Sequence, residues 1–470
     1  MSISSIILRE AGLPAVLSGG QMSMVAFGTV ISYGLVSGSA FPLFAAGLAA
    51  VPAYLAGALV ALALMACLSL LAARYPTPGA FGSYAESHLG PAAGFMVRAA
   101  YFISFVLIIG TEVSLLAPVV RAWAPQINAG LMLATALAGI AAVNVLGARS
   151  FARCEVALSA AKILALVALV GLAFHYAVSG AQMPARAPVD LSLVIQNVPF
   201  SGVWQAFLLA VLGFVGIESL AIVAAETKAT AQALRRGMRL ASLAVVGLAL
   251  AAVTASAALV HSGKVSLFQP PFATLLELAG MPWPNTLFRV LVVVTVLSVL
   301  NSQMYCASRM LFSLARAGQA PGVLGRSSAS GPARAVIATA GLSLTVFLVN
   351  AWSADGFHTI ATAVATTGLL GVWFAIFLTC LRYWRGRYVP AADGSKPRRL
   401  GALTAGCCAV LIAAIAMSTM AVDAFSSTLR IGLPFLLLLW LGYVVLTRAL
   451  QWKRSQPSAP GSQTACAPVN

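Results

Sequence analysis

The sequence is poor in charged residues. Only 8% of its 470 residues are Asp, Glu, Lys or Arg, whereas 60% are hydrophobic. A soluble domain needs a polar surface, so this composition argues against an ordinary soluble fold. No stretch between the apolar segments is long enough for a soluble domain. The chain is therefore predicted to be one integral membrane domain.

The residue patterns of the common enzyme chemistries are also missing. The four histidines are isolated, so no metal cluster or catalytic histidine pair can be identified: His88, His175, His261 and His358. The phosphate-cradling motifs GxGxxG and GxxxxGK[ST] do not occur. We predict that the protein is not an enzyme, binds no metal and has no cofactor. An ion gradient then remains as its source of energy.

Cysteine use gives no sign of disulfide bonds. The seven cysteines have no metal-type spacing and no paired positions in outer loops, so free thiols are expected. The first apolar segment is too long for a cleavable signal peptide and lacks a small-residue cleavage site. It is expected to serve as the insertion signal itself.

What the chain does contain is a series of apolar segments of about 20 residues, the length of a spanning helix. Candidate spans lie near 20–44, 48–72, 95–122, 130–148, 155–178, 200–224, 240–261, 284–313, 335–352, 357–382, 402–421 and 430–449. We expect a cytoplasmic N-terminus (1–18), a single transmembrane domain (19–450) and a disordered cytoplasmic tail (451–470).

The net charge of +17 is unevenly distributed between the loops. If the N-terminus is cytoplasmic and the spans alternate, nearly all Lys and Arg residues fall on the cytoplasmic side. The other side keeps only Arg121, Arg186, Lys264, Arg289 and Arg430, with Lys162 left inside a span. This asymmetry follows the positive-inside rule, so both termini are predicted to be cytoplasmic. The partner that the charge indicates is a lipid bilayer and not nucleic acid.

Two spans carry glycines and polar residues at mid-membrane. The first, Gln21 to Phe41, reads QMSMVAFGTVISYGLVSGSAF, with Ser32-Tyr33 at its centre. The sixth, LLAVLGFVGIESLAIVAAETK, has Gly213 and Gly216 followed by Glu218. Lipid does not tolerate unpaired backbone groups, so a helix that breaks there needs a filler such as a transported substrate. A matched pair of broken spans is typical of a transporter; close helix packing at glycine is the alternative.

Ionisable residues inside spans are costly and normally face a cavity or a partner. Span 3 carries Glu112, and span 5 carries Glu155, Ser159 and Lys162 on one helical face. A functional role for Lys162 is the main hypothesis. The alternative is a structural ion pair with Glu112 or Glu155.

Polar stripes mark two further spans. Span 8 has a stripe of Thr295, Ser298, Ser302 and Tyr305 with Asn301 beside it, and span 10 has a weaker one of Thr362, Thr366, Thr367, Gly368 and Gly371. Such a stripe faces water, substrate or another helix, and hydrogen bonding between helices would also explain it.

Four of these segments resemble the amino acid–polyamine–organocation (APC) transporters, and within them the bacterial permeases of the amino acid transporter family. The segments are FGTVISYGLVSGSA in span 1, PTPGAFGSYAESHLGP after span 2, GFVGIESLAIVAAETKATAQALRRGMR in span 6, and VLSVLNSQMYCASRMLFSLARAGQAP in span 8. The similarity covers roughly Gln21 to Arg387.

The resemblance implies an all-α membrane protein of about twelve helices, with a LeuT-like five-plus-five inverted repeat and broken helices 1 and 6. The repeats would span about 20–178 and 200–382, with additional helices at 402–449. An α-amino acid would bind at the two breaks, with its carboxylate at free N–H groups around Gly34 to Gly38 and its ammonium at free carbonyls. The expected substrate-binding residues are Ile31, Ser32, Tyr33, Gly34, Phe214, Val215, Gly216, Ile217 and Ser298.

Lys162 resembles the span-5 lysine of proton-coupled relatives, which occupies the place of a sodium ion beside the span-1 break. A desolvated lysine can lose and regain a proton near neutral pH, so Lys162 is the predicted proton-coupling residue. Gating or network roles are expected for Glu112, Glu218, Asn301 and Ser302. The sequence departs from the family at two places: Ser32-Tyr33 replaces the usual Gly-Thr, and Leu70 replaces an acid. Tyr33 is expected to narrow the cavity or add a hydroxyl.

The predicted function is proton-coupled uptake of an amino acid across a bacterial cytoplasmic membrane by alternating access. An amino acid exchanger without proton coupling is the alternative within transport. A membrane-embedded enzyme or sensor would be expected to show clustered His, Asp or Cys residues or a large ligand-binding loop, and neither is present. The substrate's side chain and the oligomeric state are left open.

Overall fold

A computed structural model describes residues 2–37, 40–178, 199–262, 265, 270–353, 356–386, 395–422 and 425–455. The predicted tail lies outside these residues from 456 onwards, and the last helix continues to Ser455, past the expected boundary at 450. Within the described residues the chain is helical, apart from turns and two isolated bridges, Leu17 with Thr227 and Ser328 with Gly331.

The first half of the chain contains ten helices in sequence. They are α1 (Ile3–Glu10), α2 (Gly19–Val30), α3 (Tyr33–Val36), α4 (Ala40–Ala46), α5 (Ala50–Arg74), α6 (Ala80–Leu89), α7 (Pro91–Glu112), α8 (Ala117–Trp123), α9 (Ala129–Val145) and α10 (Ala148–Val178).

The second half of the chain continues with α11 (Phe200–Gly213), α12 (Ser219–Val223), α13 (Ala231–His261), α14 (Pro271–Leu278), α15 (Pro284–Arg316), α16 (Ala333–Trp352), α17 (Gly356–Arg385), α18 (Ser395–Ser418) and α19 (Ser427–Ser455).

Nine helical stretches of the described chain are long and apolar enough to cross a membrane, and the shorter apolar helices α9 and α11 add to them. With the interrupted first span, α2 and α3, this agrees with the twelve predicted spans. The burial pattern separates a core from a periphery. The most apolar window of α15 is 78% buried, whereas those of the last two spans are 22% and 11% buried. The last two spans are therefore peripheral.

The helices α2, α7, α10, α15 and α17 pack closely around the interruptions of the first and sixth spans. Small residues permit the closest approaches. A Cβ on Gly57 of α5 would lie 2.8 Å from the Cβ of Ala210 in α11, and one on Gly110 of α7 would lie 2.4 Å from a methyl group of Val346 in α16. Close backbone packing of this kind stabilises helix bundles in lipid, where the hydrophobic effect between helices is lost.

Candidate functional site

The first span is interrupted between Val30 and Tyr33. Ile31 has φ −75° and ψ 88°, and Ser32 is extended at φ −96° and ψ 175°, so neither continues the helix. The helical ladder cannot pair the last carbonyls of α2 or the first N–H groups of α3. The predicted break in span 1 is therefore present, and its backbone groups need partners from elsewhere in the protein.

Lys162 is the partner of two of these backbone groups. Its side chain is fully buried, and its Nζ donates hydrogen bonds to the carbonyl oxygens of Gly28 at 2.8 Å and Ile31 at 3.2 Å. Ser159, one turn earlier on α10, donates to the carbonyl oxygen of Met24 at 3.1 Å. One face of α10 thus lies along the second half of α2, and Lys162 on this face binds two carbonyls next to the break.

The sixth span is interrupted between Gly213 and Ser219. Gly216 has φ +105°, a left-handed conformation that glycine adopts without strain. The buried Glu218 carboxylate accepts the N–H of Gly216, at 3.1 and 3.0 Å to its two oxygens, and the indole N–H of Trp373 at 3.1 Å. Glu218 therefore satisfies the break from within its own segment, and Trp373 attaches it to α17.

Thr29 joins the two breaks directly. Its hydroxyl donates to the carbonyl oxygen of Gly216 at 2.9 Å and lies 3.2 Å from the hydroxyl of Ser219. A Cβ on Gly216 would lie 2.9 Å from the Cβ of Thr29, so only glycine fits at this contact. The two interrupted spans meet at this point, which the sequence predicted in general but not at Thr29.

A buried carboxylate, that of Glu155, lies beside the first break. It is close to the Cα of Gly28, whereas Lys162 binds the carbonyl oxygen of the same residue. Glu155 of α10 is fully buried and accepts hydrogen bonds from Ser159 at 2.8 Å, from Asn301 at 2.8 Å and from the hydroxyl of Ser298. The amide of Asn301 in turn accepts a hydrogen bond from Asn144 of α9 at 2.9 Å. The polar stripe predicted on span 8 therefore faces a carboxylate and not lipid.

A cavity of about 350 Å³ lies between the breaks and α7, α15 and α17. Its lining includes Thr29, Ser32, Thr111, Glu112, Val215, Gly216, Gln303, His358, Thr362 and Thr366. Glu112 accepts a hydrogen bond from the side-chain amide of Gln303 at 3.2 Å. Polar groups thus occupy one part of a mostly apolar cavity, which is the usual character of a small-molecule site.

Two residues of the cavity lining have exposed side chains. Leu115 and His358 are exposed and lie at the ends of their spans that are remote from α1. A second cavity of about 230 Å³, lined by Ser32, Gly34 and Phe214 among others, lies between α3, α5 and α11.

The side that carries the N-terminus is closed by a buried cluster around Glu10. Its carboxylate accepts hydrogen bonds from Thr77 at 2.6 Å, the N–H of Gly79 at 3.0 Å, Ser83 at 2.8 Å and Ser313 at 2.8 Å. Arg98 forms salt bridges with Glu10 at 3.0 Å and Glu86 at 2.7 Å, and Arg9 forms one with Glu86 at 2.8 Å. This cluster attaches α1 to α6, α7 and α15.

Glu86 in this cluster lies on α6, outside the spans. Burial opposes ionisation of Glu86, but hydrogen bonds and charges from Arg9 and Arg98 outweigh it and lower its pKa from the ordinary 4.5. Glu86 is therefore ionised at neutral pH.

A second contact closes the same side. The N–H groups of Val16 and Leu17 donate to the carbonyl oxygen of Glu226 at 2.8 and 2.9 Å, and the N–H of Lys228 donates to that of Leu17 at 2.8 Å. The Glu226 carboxylate is bound by Tyr305 at 2.7 Å and by Arg309 at 2.9 Å, all three buried. The segment before α2 is thus paired with the segment after α12.

The predicted site residues fall into three groups. The first lines the two cavities: Ser32, Gly34, Glu112, Phe214, Val215 and Gly216. The second lies behind them in the hydrogen-bonded layer: Ile31, Lys162, Glu218, Ser298 and Asn301. The third is buried beside the breaks without a cavity-lining surface: Ile217, which is apolar, and Ser302, whose hydroxyl has no hydrogen-bond partner.

Three expectations need adjustment. Tyr33 packs on the apolar cluster that contains Ile109 and Val296, outside the lining of both cavities, so it does not narrow them. The second half of span 1 begins with a helix of only four residues, Tyr33–Val36, whose dipole is small. The salt bridges among the described residues involve Glu10, Glu86 and Glu226, so Lys162 is not held by a carboxylate within 4 Å.

Several residues of the site were not predicted from the sequence, namely Thr29, Trp373, Gln303, Asn144 and the hydrogen-bonding role of Glu155. A signal existed for Thr29 and Gln303. Each is a polar residue close to a predicted one: Thr29 lies one turn before Ser32, and Gln303 lies beside Ser302 on the polar stripe. Trp373 gave no signal, because a tryptophan in an apolar span is ordinary.

Comparison with known proteins places the chain in a family. The model of the amino acid permease family matches residues 21–453. The chain is 28% identical to a γ-aminobutyric acid permease of Bacillus subtilis, over 74% of this chain and 75% of that protein. It is 27% identical to the lysine-specific permease LysP of Lactococcus lactis, over 84% and 80%. It is 30% identical to a probable GABA permease of Pseudomonas aeruginosa, over 80% of each.

The fold is also found among solved structures. The chain superposes on a mutant of the manganese transporter of Eremococcus coleocola with a TM-score of 0.60 at 12% identity, over 96% of this chain and 99% of that one. The predicted fold class is thereby confirmed: an all-helical membrane protein of about twelve helices with a LeuT-like inverted repeat and broken first and sixth spans. The chain belongs to the amino acid permease family, within the APC superfamily of membrane transporters.

Proposed function

We propose that this protein carries an α-amino acid across the bacterial cytoplasmic membrane by alternating access and couples that movement to a proton on Lys162. The observation that supports the coupling is the pair of hydrogen bonds from Lys162 Nζ to the carbonyls of Gly28 and Ile31. A protonated amine fills both carbonyls with N–H donors. A neutral amine has one donor fewer and no charge, so its attraction to the broken end of α2 is weaker.

The substrate is proposed to lie at the breaks, in the cavity of about 350 Å³. The first N–H groups of α3 have no intrahelical acceptor, so Ser32 and its neighbours offer donors to a carboxylate. Recognition there rests on individual N–H groups, since α3 is a single turn. Because the carbonyls of Ile31 and Gly216 already accept Lys162 and Thr29, the ammonium group is expected at other carbonyls of the sixth-span break.

The closed contacts around Glu10 and Glu226 lie on the cytoplasmic side in this proposal, since the positive-inside rule places the N-terminus there. The structure then corresponds to a state that is open outwards and closed inwards. The two repeats are proposed to span about 20–178 and 200–382, with the helices at 402–449 outside them. Inward release requires the contacts of α1 and of Leu17 to separate.

The substrate is tested by thermal shift of the purified protein against the twenty amino acids, γ-aminobutyrate and simple amines. The panel includes γ-aminobutyrate and lysine, the compounds in the names of two relatives. A stabilising ligand is then used in proteoliposomes, where counterflow is measured with and without a protonophore. If net accumulation is lost when the protonophore removes the proton gradient, the result supports proton coupling. If the exchange rate is the same with and without the protonophore, it supports an amino acid exchanger without proton coupling.

Lys162→Gln tests the coupling residue. We expect uptake driven by a pH gradient to fall at least about tenfold, within the usual range of coupling between two sites. Glutamine keeps an N–H donor for the break but cannot carry the proton. The matched control is Lys228→Gln, because Lys228 has an exposed side chain beyond the sixth span. Undiminished accumulation by Lys162→Gln would remove Lys162 from the mechanism.

A further inference from the structure

Glu155 is a buried carboxylate without an ion-pair partner. It is fully buried on α10, and the salt bridges of the described residues are made by Glu10, Glu86 and Glu226 instead. Its donors are the neutral groups of Ser159, Ser298 and Asn301. A carboxylate in such surroundings is costly to keep charged, so a structural role alone explains it poorly.

Glu155 and Lys162 approach the same glycine from two sides. Lys162 Nζ lies 2.8 Å from the carbonyl oxygen of Gly28, and a Cβ on Gly28 would lie only 2.2 Å from Oε1 of Glu155. Covalent geometry then limits the separation of Nζ and Oε1 to at most about 8 Å. Cys154 on its own helix and Cys306 on α15 also interact with Glu155. Both are neutral thiols, so Lys162 is its charged neighbour.

The hydrogen bonds around Glu155 suit both protonation states. The hydroxyl of Ser159 has one hydrogen but lies 2.8 Å from Oε1 of Glu155 and 3.1 Å from the carbonyl oxygen of Met24. If Glu155 is protonated, Oε1–H donates to the Ser159 hydroxyl, whose own hydrogen is then donated to Met24, while Asn301 continues to donate to Oε2. These hydrogen bonds are therefore all kept when the carboxylate takes up a proton.

We infer that Glu155 is a second proton-binding group of the coupling site and accepts the proton that Lys162 releases. The N–H bond at Nζ breaks and an O–H bond forms on the carboxylate, leaving a neutral amine and a neutral acid; no other reactant is needed. The inference rests on the proposed function, because it assigns the destination of the proton that Lys162 carries. Glu155 acts through Lys162 and does not touch the substrate cavity.

The test compares Glu155→Gln with the wild-type protein in proteoliposomes, using the amino acid that the thermal-shift screen identifies. Glutamine accepts from Asn301 and donates to the Ser159 hydroxyl as the protonated acid would, so the variant is expected to fold. Two assays are run on each protein: counterflow exchange without a gradient, and accumulation driven by a pH gradient across a range of pH. Glu277→Gln, an exposed carboxylate on α14, is the control.

The inference predicts that Glu155→Gln retains exchange, loses at least about tenfold of the gradient-driven accumulation, and no longer shows the wild-type pH profile. Retained accumulation with an unchanged pH profile overturns the inference and leaves the proposed function intact. If the wild-type protein itself moves no amino acid, the proposed function fails, which is a different result. Glu155→Asp, which restores a titratable group, should recover pH-dependent accumulation at least in part.

A second measurement decides the case in which Glu155→Gln is inactive in both assays. Infrared difference spectra between acid and alkaline pH report carboxyl groups that gain a proton. The wild-type protein should show a protonated-carboxyl band that shifts in Glu155→Asp, since an aspartic acid absorbs differently. A band that is identical in the two proteins would show that Glu155 does not take up a proton and would overturn the inference.

Discussion

Replacing Glu10 by alanine should open the side of the protein that carries the N-terminus. The carboxylate is fully buried and holds donors from Thr77, Gly79, Ser83 and Ser313 as well as Arg98. Its removal leaves those donors unpaired inside the closed contact. In an open state water reaches them, so the substitution destabilises the closed state in particular.

The free-energy cost of this substitution depends on the salt bridge that Arg98 keeps. Removing one partner of a buried ion pair costs about 3–5 kcal/mol when the other charge is left uncompensated. Arg98 keeps its salt bridge with Glu86 at 2.7 Å, so the lower end of this range applies, about 3 kcal/mol. At about 1.4 kcal/mol per factor of ten, the ratio of closed to open molecules should fall about 100-fold.

Hydrogen exchange measures this ratio at defined amides. The N–H groups of Val16, Leu17 and Lys228 are bonded across the closed contact, so they exchange only when it opens. We expect their protection to fall about 100-fold in Glu10→Ala. Glu277→Ala, at an exposed carboxylate of α14, should leave it unchanged.

Unchanged protection of Val16, Leu17 and Lys228 in Glu10→Ala would refute the reasoning, because it would show that the Glu10 cluster does not hold this contact closed. A uniform loss of protection in the cores of α7 and α15 would refute it differently. The cluster would then stabilise the whole fold and not one of its states.

Two further perturbations test neighbouring contacts. Thr29→Val removes the hydroxyl that joins the two breaks and leaves the Gly216 carbonyl without this donor. Such a group costs about 1–3 kcal/mol, so uptake in proteoliposomes should fall about fivefold or more, while an unaltered rate would show that the link is dispensable. The pKa of Glu86 is lowered in the folded protein, so its contribution to the closed contact is complete at neutral pH and is lost as the pH falls through that lowered pKa. Hydrogen exchange at the amides of Val16 and Leu17 should therefore accelerate at acid pH beyond the intrinsic trend, and Glu86→Gln should abolish this acceleration.

The two helix breaks could be predicted from local sequence because their cause is local. Glycine and polar residues at mid-span weaken a helix wherever they occur, so Ser32-Tyr33 and Gly216 marked the interruptions without any knowledge of packing. Lys162 was predicted for a related reason, since a charge in an apolar segment is conspicuous. Its expected place beside the span-1 break came from family resemblance, and its hydrogen bonds to the carbonyls of Gly28 and Ile31 were not predicted.

The closed contact on the N-terminal side could not be predicted, because its cause is distant. Glu10 is an ordinary polar residue in a short segment, and its partner Ser313 lies 303 positions away in the chain. Similarly, Asn144 and Asn301 are 157 positions apart, and nothing in either segment identifies the other as its partner. Tyr33 packs on an apolar cluster although its neighbour Ser32 lines the cavities, and this difference depends on the extended backbone at Ser32, for which the local sequence has no signal.

One helix connects the break with the closed contact. Along α15, Ser298 and Asn301 bind Glu155, Tyr305 and Arg309 bind Glu226, and Ser313 binds Glu10. These residues recur every three or four positions, so they lie on one face of a single continuous helix. A shift of α15 against α10 that accompanies a change of charge at Glu155 must therefore alter its contacts with Glu226 and Glu10 as well. The proposed protonation of Glu155 at mid-membrane and the closure of the N-terminal side would in this way be joined through one continuous helix.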